Sequence, residues 1–131
     1  MKPFKLELIS PEEEDHLEIL FLSLEDRLGS LGIYADHDSF LTVLTRSVGH
    51  FLDLKGEKRF IAYDFGLLKL RDNKVSLITR TFVVGSSTEE IEEELRRRVE
   101  RIERAEGKIR KSLEELERAI LKRLAEIERS L

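Results

Sequence analysis

No cysteine and no tryptophan occur among the 131 residues, and proline appears only at Pro3 and Pro11. The missing thiols exclude disulfides and thiolate-bound metal and leave the redox compartment open. No apolar run approaches the ~18 residues of a membrane span. The start, Met1-Lys2-Pro3-Phe4-Lys5-Leu6-Glu7, lacks the hydrophobic core of a signal peptide, so a soluble, cytoplasmic chain is expected. An excess of positive charge is missing too. The net charge of -4 and a pI near 5.5 give no reason to expect a nucleic-acid partner. The run Arg96-Arg97-Arg98 follows Glu92-Glu93-Glu94 and reads as an ion-paired helix face, not a phosphate-binding patch. Charged residues at 38%, rich in Glu, Lys and Arg, lean toward a thermophile.

Catalytic signatures are absent as well. Gly29 and Gly32 lack the strand-loop-helix context of a phosphate-binding loop, no Ser or Thr stands in a nucleophile pattern, and the scattered carboxylates single out no acid/base couple. Asp36, His37 and Asp38, with His50 and Asp53, are of metal-ligating types, but Asp and His are common in turns for reasons of turn geometry. The expectation is a protein that is not an enzyme, with no cofactor and no metal.

What is present divides at Gly85. All nine aromatics, both prolines and six of the seven glycines lie in residues 1–85. Residues 86–131 hold one glycine, Gly107, and 25 charged side chains, the composition of a charged helix. Their apolar positions are Ile91, Leu95, Val99, Ile102, Ala105, Ile109, Leu113, Leu116, Ile120, Leu124, Ile127 and Leu131, spaced by three or four residues into one narrow stripe. Ser87 and Glu90 form a capping-box pattern at the start, and Glu-before-Arg pairs such as Glu92/Arg96 and Glu106/Arg110 add about 0.2–0.5 kcal/mol each. A stripe this narrow needs a partner surface. Gly107 can close a hairpin of two helices or be tolerated in one rod of about 65 Å, at roughly 1 kcal/mol.

Residues 1–85 carry short alternating apolar runs bounded by turn signals: Phe4–Ile9, Leu17–Leu24, Leu31–Tyr34, Phe40–Leu44, Ser47–Leu54, Lys58–Tyr63, Gly66–Arg71 and Val75–Val83. Asp72-Asn73 closes a hairpin between the last two. The expected class is α+β: a small all-β sandwich or barrel over 1–85, then a two-helix tail, hairpin or extended, over 86–131. There is no internal repeat and no low-complexity segment other than the charged tail.

The stretch Gly29-Ser30-Leu31-Gly32-Ile33-Tyr34-Ala35-Asp36-His37-Asp38-Ser39-Phe40-Leu41-Thr42 resembles the signature G-E-x-G-I/V-x-P-G-H-x-P-L-L-T of the epsilon subunit of F-type ATP synthases. Phe60-Ile61-Ala62-Tyr63-Asp64-Phe65-Gly66-Leu67-Leu68-Lys69-Leu70, with Asp72-Asn73-Lys74-Val75, is similar to the family's second segment. A sandwich followed by a charged helical tail is the family's layout. Three departures stand out. Ala35-Asp36 replaces Pro-Gly, Phe65 replaces the first glycine of a Gly-Gly pair, and the tail is rich in Glu and Arg, which resembles the alternate, N-ATPase-type variant. Some family members bind ATP through I/L-D-x-x-R-A. Here Arg104-Ala105 is present, but Glu100 and Arg101 stand where the apolar residue and the Asp belong, which leaves the motif incomplete.

The resemblance implies a non-catalytic central-stalk subunit that couples the gamma shaft to the membrane rotor ring of c subunits. It implies a peripheral position on the cytoplasmic side of the cell membrane. Ring and gamma contact then falls to Gly29, Ser30 and Leu31, with His37 nearby. The tail helices, through the stripe from Ile91 to Ile127, are expected to reach the catalytic-head alpha and beta subunits and restrain ATP hydrolysis. The alternative from the residues is a free-standing protein-binding module dimerising through a coiled-coil tail; a nucleotide-sensing switch is the third reading.

Overall fold

Alternation decides the first strand. In β1 (Phe4–Ile9) Phe4, Leu6 and Leu8 are buried and Lys5 is exposed, the period of two that a half-buried strand imposes. The computed structural model describes residues 1–26 and 28–130; the side chains of residues 127, 128 and 130 lie outside the description, and with them the expected contact Ile127.

The strand that organises the β unit is β2 (Glu14–Asp26), 13 residues long. Its first half pairs with β1, from Phe4↔Ile19 to Ile9↔Glu14, and its second half pairs with β3 (Gly29–Ile33), from Leu22↔Ile33 to Asp26↔Gly29. A register shift between Ile19 and Phe21, on the edge shared with β5 (Ser47–Asp53), marks the change of neighbour. One sheet therefore runs from β4 (Phe40–Leu44) through β7 (Gly66–Arg71), β8 (Lys74–Thr79) and β1 to the first half of β2. The other runs from β3 through the second half of β2 and β5 to β6 (Lys58–Tyr63) and β9 (Phe82–Gly85). The two layers enclose Leu22, Leu24, Ile33, Phe51, Leu68 and Leu77, each at most 1% exposed. All pairings are antiparallel except β1 with β8.

The β7–β8 hairpin is a two-residue turn in which Asp72 (φ 50°) and Asn73 (φ 58°) are both left-handed, as a twist-matched tight turn requires. The strand expected from Val75 to Val83 is two strands. Thr79 Oγ1 donates to the Asp64 carbonyl (2.8 Å) and accepts from the Asp64 N–H (3.1 Å), so the chain leaves β7 there and re-pairs with β6 as β9. Gly66 lies at this crossing, and a Cβ on it would overlap the Ile78 carbonyl oxygen, backbone that cannot swing aside.

The class is α+β, a β-sandwich of nine strands followed by a helix. The second tail helix is not seen. A single helix, α1 (Thr88–Ser130), runs straight through Gly107. Apart from its chain neighbours and the helix's own backbone, nothing sits within 4 Å of where a Gly107 Cβ would be, so no packing there directs a turn, and hydrogen bonding along the helix prevails over the glycine penalty. Ser87 Oγ accepts the Glu90 N–H (3.2 Å), and the Glu90 carboxylate reaches back to the Ser86 N–H (3.0 Å), one residue before the cap itself. Two compact units result, Met1–Glu94 and Leu95–Leu131, so the division falls inside α1 and not at its start. The first turns of α1 belong to the β unit, where Ile91 is buried with Ala62 and Val83 beside Phe60.

Candidate functional site

Four connections meet at one end of the sandwich: β2–β3, β4–β5, β6–β7 and β8–β9. Pairing places them there, since Asp26 faces Leu44, Leu44 faces Gly66, and Gly66 faces Thr79. The β2–β3 turn is shaped by Asp26, whose carboxylate accepts from Thr42 Oγ1 and from the Leu28 N–H, each at 2.8 Å. Those bonds, the Thr42 hydroxyl first, hold its pKa below the usual carboxylate value. Gly29 has φ 128°, a conformation that favours glycine. Leu28 is 94% exposed, whereas Leu31 packs partly into the core, so of the expected contact residues Gly29 and Ser30 face outward and Leu31 largely supports them.

Across this end lies a group that sequence reasoning did not assemble. Asp64 is buried and accepts from Arg46 Nε (3.2 Å), the Phe65 N–H (2.8 Å) and Arg80 Nη2 (2.7 Å). Burial raises its pKa, but the Arg46, Phe65 and Arg80 hydrogen bonds outweigh that and hold it at about 2. Both guanidinium carbons stand 5.7 Å from the centre of the Phe65 ring, within cation–π reach, and the ring is half exposed. The carboxylate is thus inside while the ring and two cations are outside. Beside it the Tyr63 hydroxyl donates to the Glu25 carbonyl (3.0 Å) and accepts the Glu25 N–H (2.8 Å), tying β6 to the end of β2; burial raises its pKa. The available signal was Phe65 itself, an aromatic in a turn where the resembled family has glycine. Its partners, Arg46 and Arg80, come from connections distant in sequence.

His37 is not near Gly29. β3 carries the chain to the opposite end, where Asp36 accepts from Lys2 Nζ and Asn73 Nδ2, both at 2.9 Å, the latter in the β7–β8 turn. His37 Nδ1 lies 2.8 Å from the Asp38 carbonyl and its ring packs on Phe40. The imagined metal group is dispersed too. Asp53 Oδ1 accepts the Lys55 and Glu57 N–H groups (2.9 Å each) to close the β5–β6 turn, and His50 packs beside Phe21. Among the described residues no three metal-ligating side chains converge.

The chain matches the family described as ATP synthase, Delta/Epsilon chain, beta-sandwich domain over residues 3–85. It belongs to that family. It is 33% identical over 78 residues to "ATP synthase epsilon chain 2" of Paraburkholderia xenovorans, covering 59% of this chain and 56% of the relative. It is 33% identical over 75 residues to "ATP synthase epsilon chain" of Clostridium botulinum, covering 56% of each. The match thus spans about half the length of these relatives. In fold it is similar to a chain of the Euglena gracilis mitochondrial ATP synthase assembly of OSCP, F1 and c-ring, with TM-score 0.59 and 18% identity over 63% of this chain and 53% of that one. A chain of the Tetrahymena thermophila central stalk and c-ring gives TM-score 0.50 and 15% identity over 60% of this chain and 64% of that one. The family match stops at Gly85, so the tail stands on its own features.

On the tail, Leu95 is 36% exposed, and Val99, Ile102, Ile109, Leu113, Leu116, Ile120 and Leu124 are 52–62% exposed. Ile91 is the exception, spent inside the β unit. Among the described residues no helix is long and apolar enough to cross a membrane.

Proposed function

We propose that this chain is a non-catalytic central-stalk epsilon subunit of a rotary F-type ATP synthase, of the alternate N-ATPase-type variant. It sits peripherally on the cytoplasmic side of the membrane and couples a gamma shaft to a ring of c subunits. The observation that carries the reading is the family match across the whole sandwich, residues 3–85. In this reading the end bearing Leu28, Gly29, Ser30 and Phe65 faces the ring. Exposed apolar side chains flanked by Arg46 and Arg80 have the composition of a binding hot spot, in which aromatic and Arg side chains carry most of the energy. The sandwich, 1–85, is the coupling element and the helical tail, 86–131, restrains ATP hydrolysis by reaching the alpha and beta subunits.

Gentle solubilisation of native membranes and recovery of the tagged chain tests the assignment. Gamma, the head subunits and the c-ring are expected to come with it; recovery without any of them rejects the reading. A Phe65→Ala chain is expected to retain gamma and lose most of the ring. A stop after Glu94, which keeps Ile91 in its pocket, is expected to leave assembly intact and abolish the restraint on hydrolysis.

A further inference from the structure

The exposed seam of α1 is an 11-residue repeat. Ile102, Ala105 and Ile109 recur 11 positions on (102 to 113) as Leu113, Leu116 and Ile120, and a third unit of the same spacing begins at Leu124. Its period is shorter than the roughly 20–50 residues of solenoid and propeller repeats. Eleven residues make about three turns at ~3.67 residues per turn, slightly more than the ~3.6 of a straight α-helix, so a seam of this period stays in contact along a weakly right-handed supercoil. The described seam residues from Ile102 to Leu124 are without apolar cover: Ala105 is exposed, and the larger side chains are 52–62% exposed.

The edges of the seam carry opposite charge. The position just beyond the seam on one side is Glu106 and, in the next unit, Glu117; the equivalent position on the other side is Arg101, Ser112 and Arg123. Arg123 keeps an i,i+3 pair with Glu126 at 3.2 Å yet its side chain is 75% exposed. Arg110 lies further out on the acidic side, beyond the line of Glu106. When two identical helices pair in parallel, each edge meets the opposite edge of its partner; when they pair antiparallel, like edges meet. Parallel pairing sets Glu against Arg on both flanks, and antiparallel pairing sets Glu against Glu and Arg against Arg.

We propose that outside the complex this chain forms a parallel, in-register homodimer through α1 from Ile102 onward. Residues 102–131 give about four heptads' worth of contact, the length at which apolar seams sustain coiled coils. A seam closed on a second copy is closed to every other helix, so the dimer and a tail engaged with another protein exclude each other. This inference goes beyond the central-stalk assignment and does not depend on it.

Sedimentation equilibrium of the full chain across a micromolar concentration series tests it. The expected mass approaches twice 15.3 kDa. The double change Glu106→Lys, Glu117→Lys leaves the apolar seam intact and makes both edges basic, and is expected to weaken the dimer by about tenfold or more at low salt. Orientation is read by Ala105→Cys, the sole thiol in an otherwise cysteine-free chain. Near one end of the seam, it forms a disulfide with its own counterpart only in a parallel pair. Circular dichroism of each variant confirms that the helix persists. A monomer throughout the series overturns the proposal. So does a dimer indifferent to the two lysines, and so does a dimer that Ala105→Cys does not cross-link.

Discussion

The sandwich and the tail reach order by opposite routes. In the β unit side chains from all nine strands contribute to the buried apolar clusters, and the one buried carboxylate among the described residues, Asp64, holds two arginines. In the tail beyond Glu94 order comes from the helix's own hydrogen bonds and ion pairs such as Arg104–Glu100, while the apolar side chains remain in water. A β-strand cannot satisfy its backbone alone, so strands must be assembled together or not at all; a helix satisfies its backbone locally and can leave its apolar face for later use. The same kind of residue therefore acts as core in one region and as an unused contact in the other.

The sharpest way to break that contrast is one leucine in each region. Leu22→Ala, fully buried between the layers, is expected to cost about 3–5 kcal/mol. Leu113→Ala, 60% exposed, is expected to change the stability of the isolated helix by no more than ~0.5 kcal/mol at concentrations where the chain is monomeric. Both tyrosines, Tyr34 and Tyr63, lie in the β unit, so tyrosine fluorescence follows the sandwich while far-ultraviolet circular dichroism is dominated by the helix. Equal losses in both probes for both variants would mean the two regions unfold as one.

Glycine gives the next contrast, with opposite signs. Gly66→Ala forces a methyl group against the Ile78 carbonyl and is expected to destabilise the sandwich by about 2–3 kcal/mol in urea melts. Gly107→Ala meets open space on a helix and is expected to stabilise the tail by about 1 kcal/mol, seen as a rise in helicity and in the helix melting temperature. A loss of helicity on Gly107→Ala would show that the glycine has a hinge role.

Acid separates the regions more gently. Asp64 titrates at about 2 in the folded chain against an ordinary 3.8, so the unfolded state binds the proton more readily. Its contribution is complete above pH ~4 and fades as the pH falls toward 2. The shift corresponds to about 1–2 kcal/mol after discounting for the solvent around the two exposed guanidiniums. Asp64→Asn is expected to remove that part of the acid dependence of the sandwich melt and leave the helical signal unmoved. An unchanged acid limb would mean the triad stabilises nothing.

Local features were legible. The strands β1, β4, β6 and β7 run where the alternation placed them, Asp72-Asn73 is the tight turn, and Ser87 caps the helix. The site was less so. Gly29 and Ser30 are exposed residues that open β3, but His37 is at the far end, because β3 lies between them and a strand moves the chain ~3.3 Å per residue. The triad of Arg46, Asp64 and Arg80 joins three connections that sequence adjacency does not link.

Sequence by itself determined the period of each element, the turn chemistry between many of them, and the helix cap. These follow from neighbours within a few residues, where backbone sterics and side-chain spacing act. Only the tertiary structure decided that β2 serves both sheets, that β1 and β8 run parallel, that the segment after Val75 splits into two strands, and that Asp64 is enclosed by two arginines. Each of those rests on pairing between distant segments, where the choice of partner depends on the summed burial of both sheets and on no single stretch of chain.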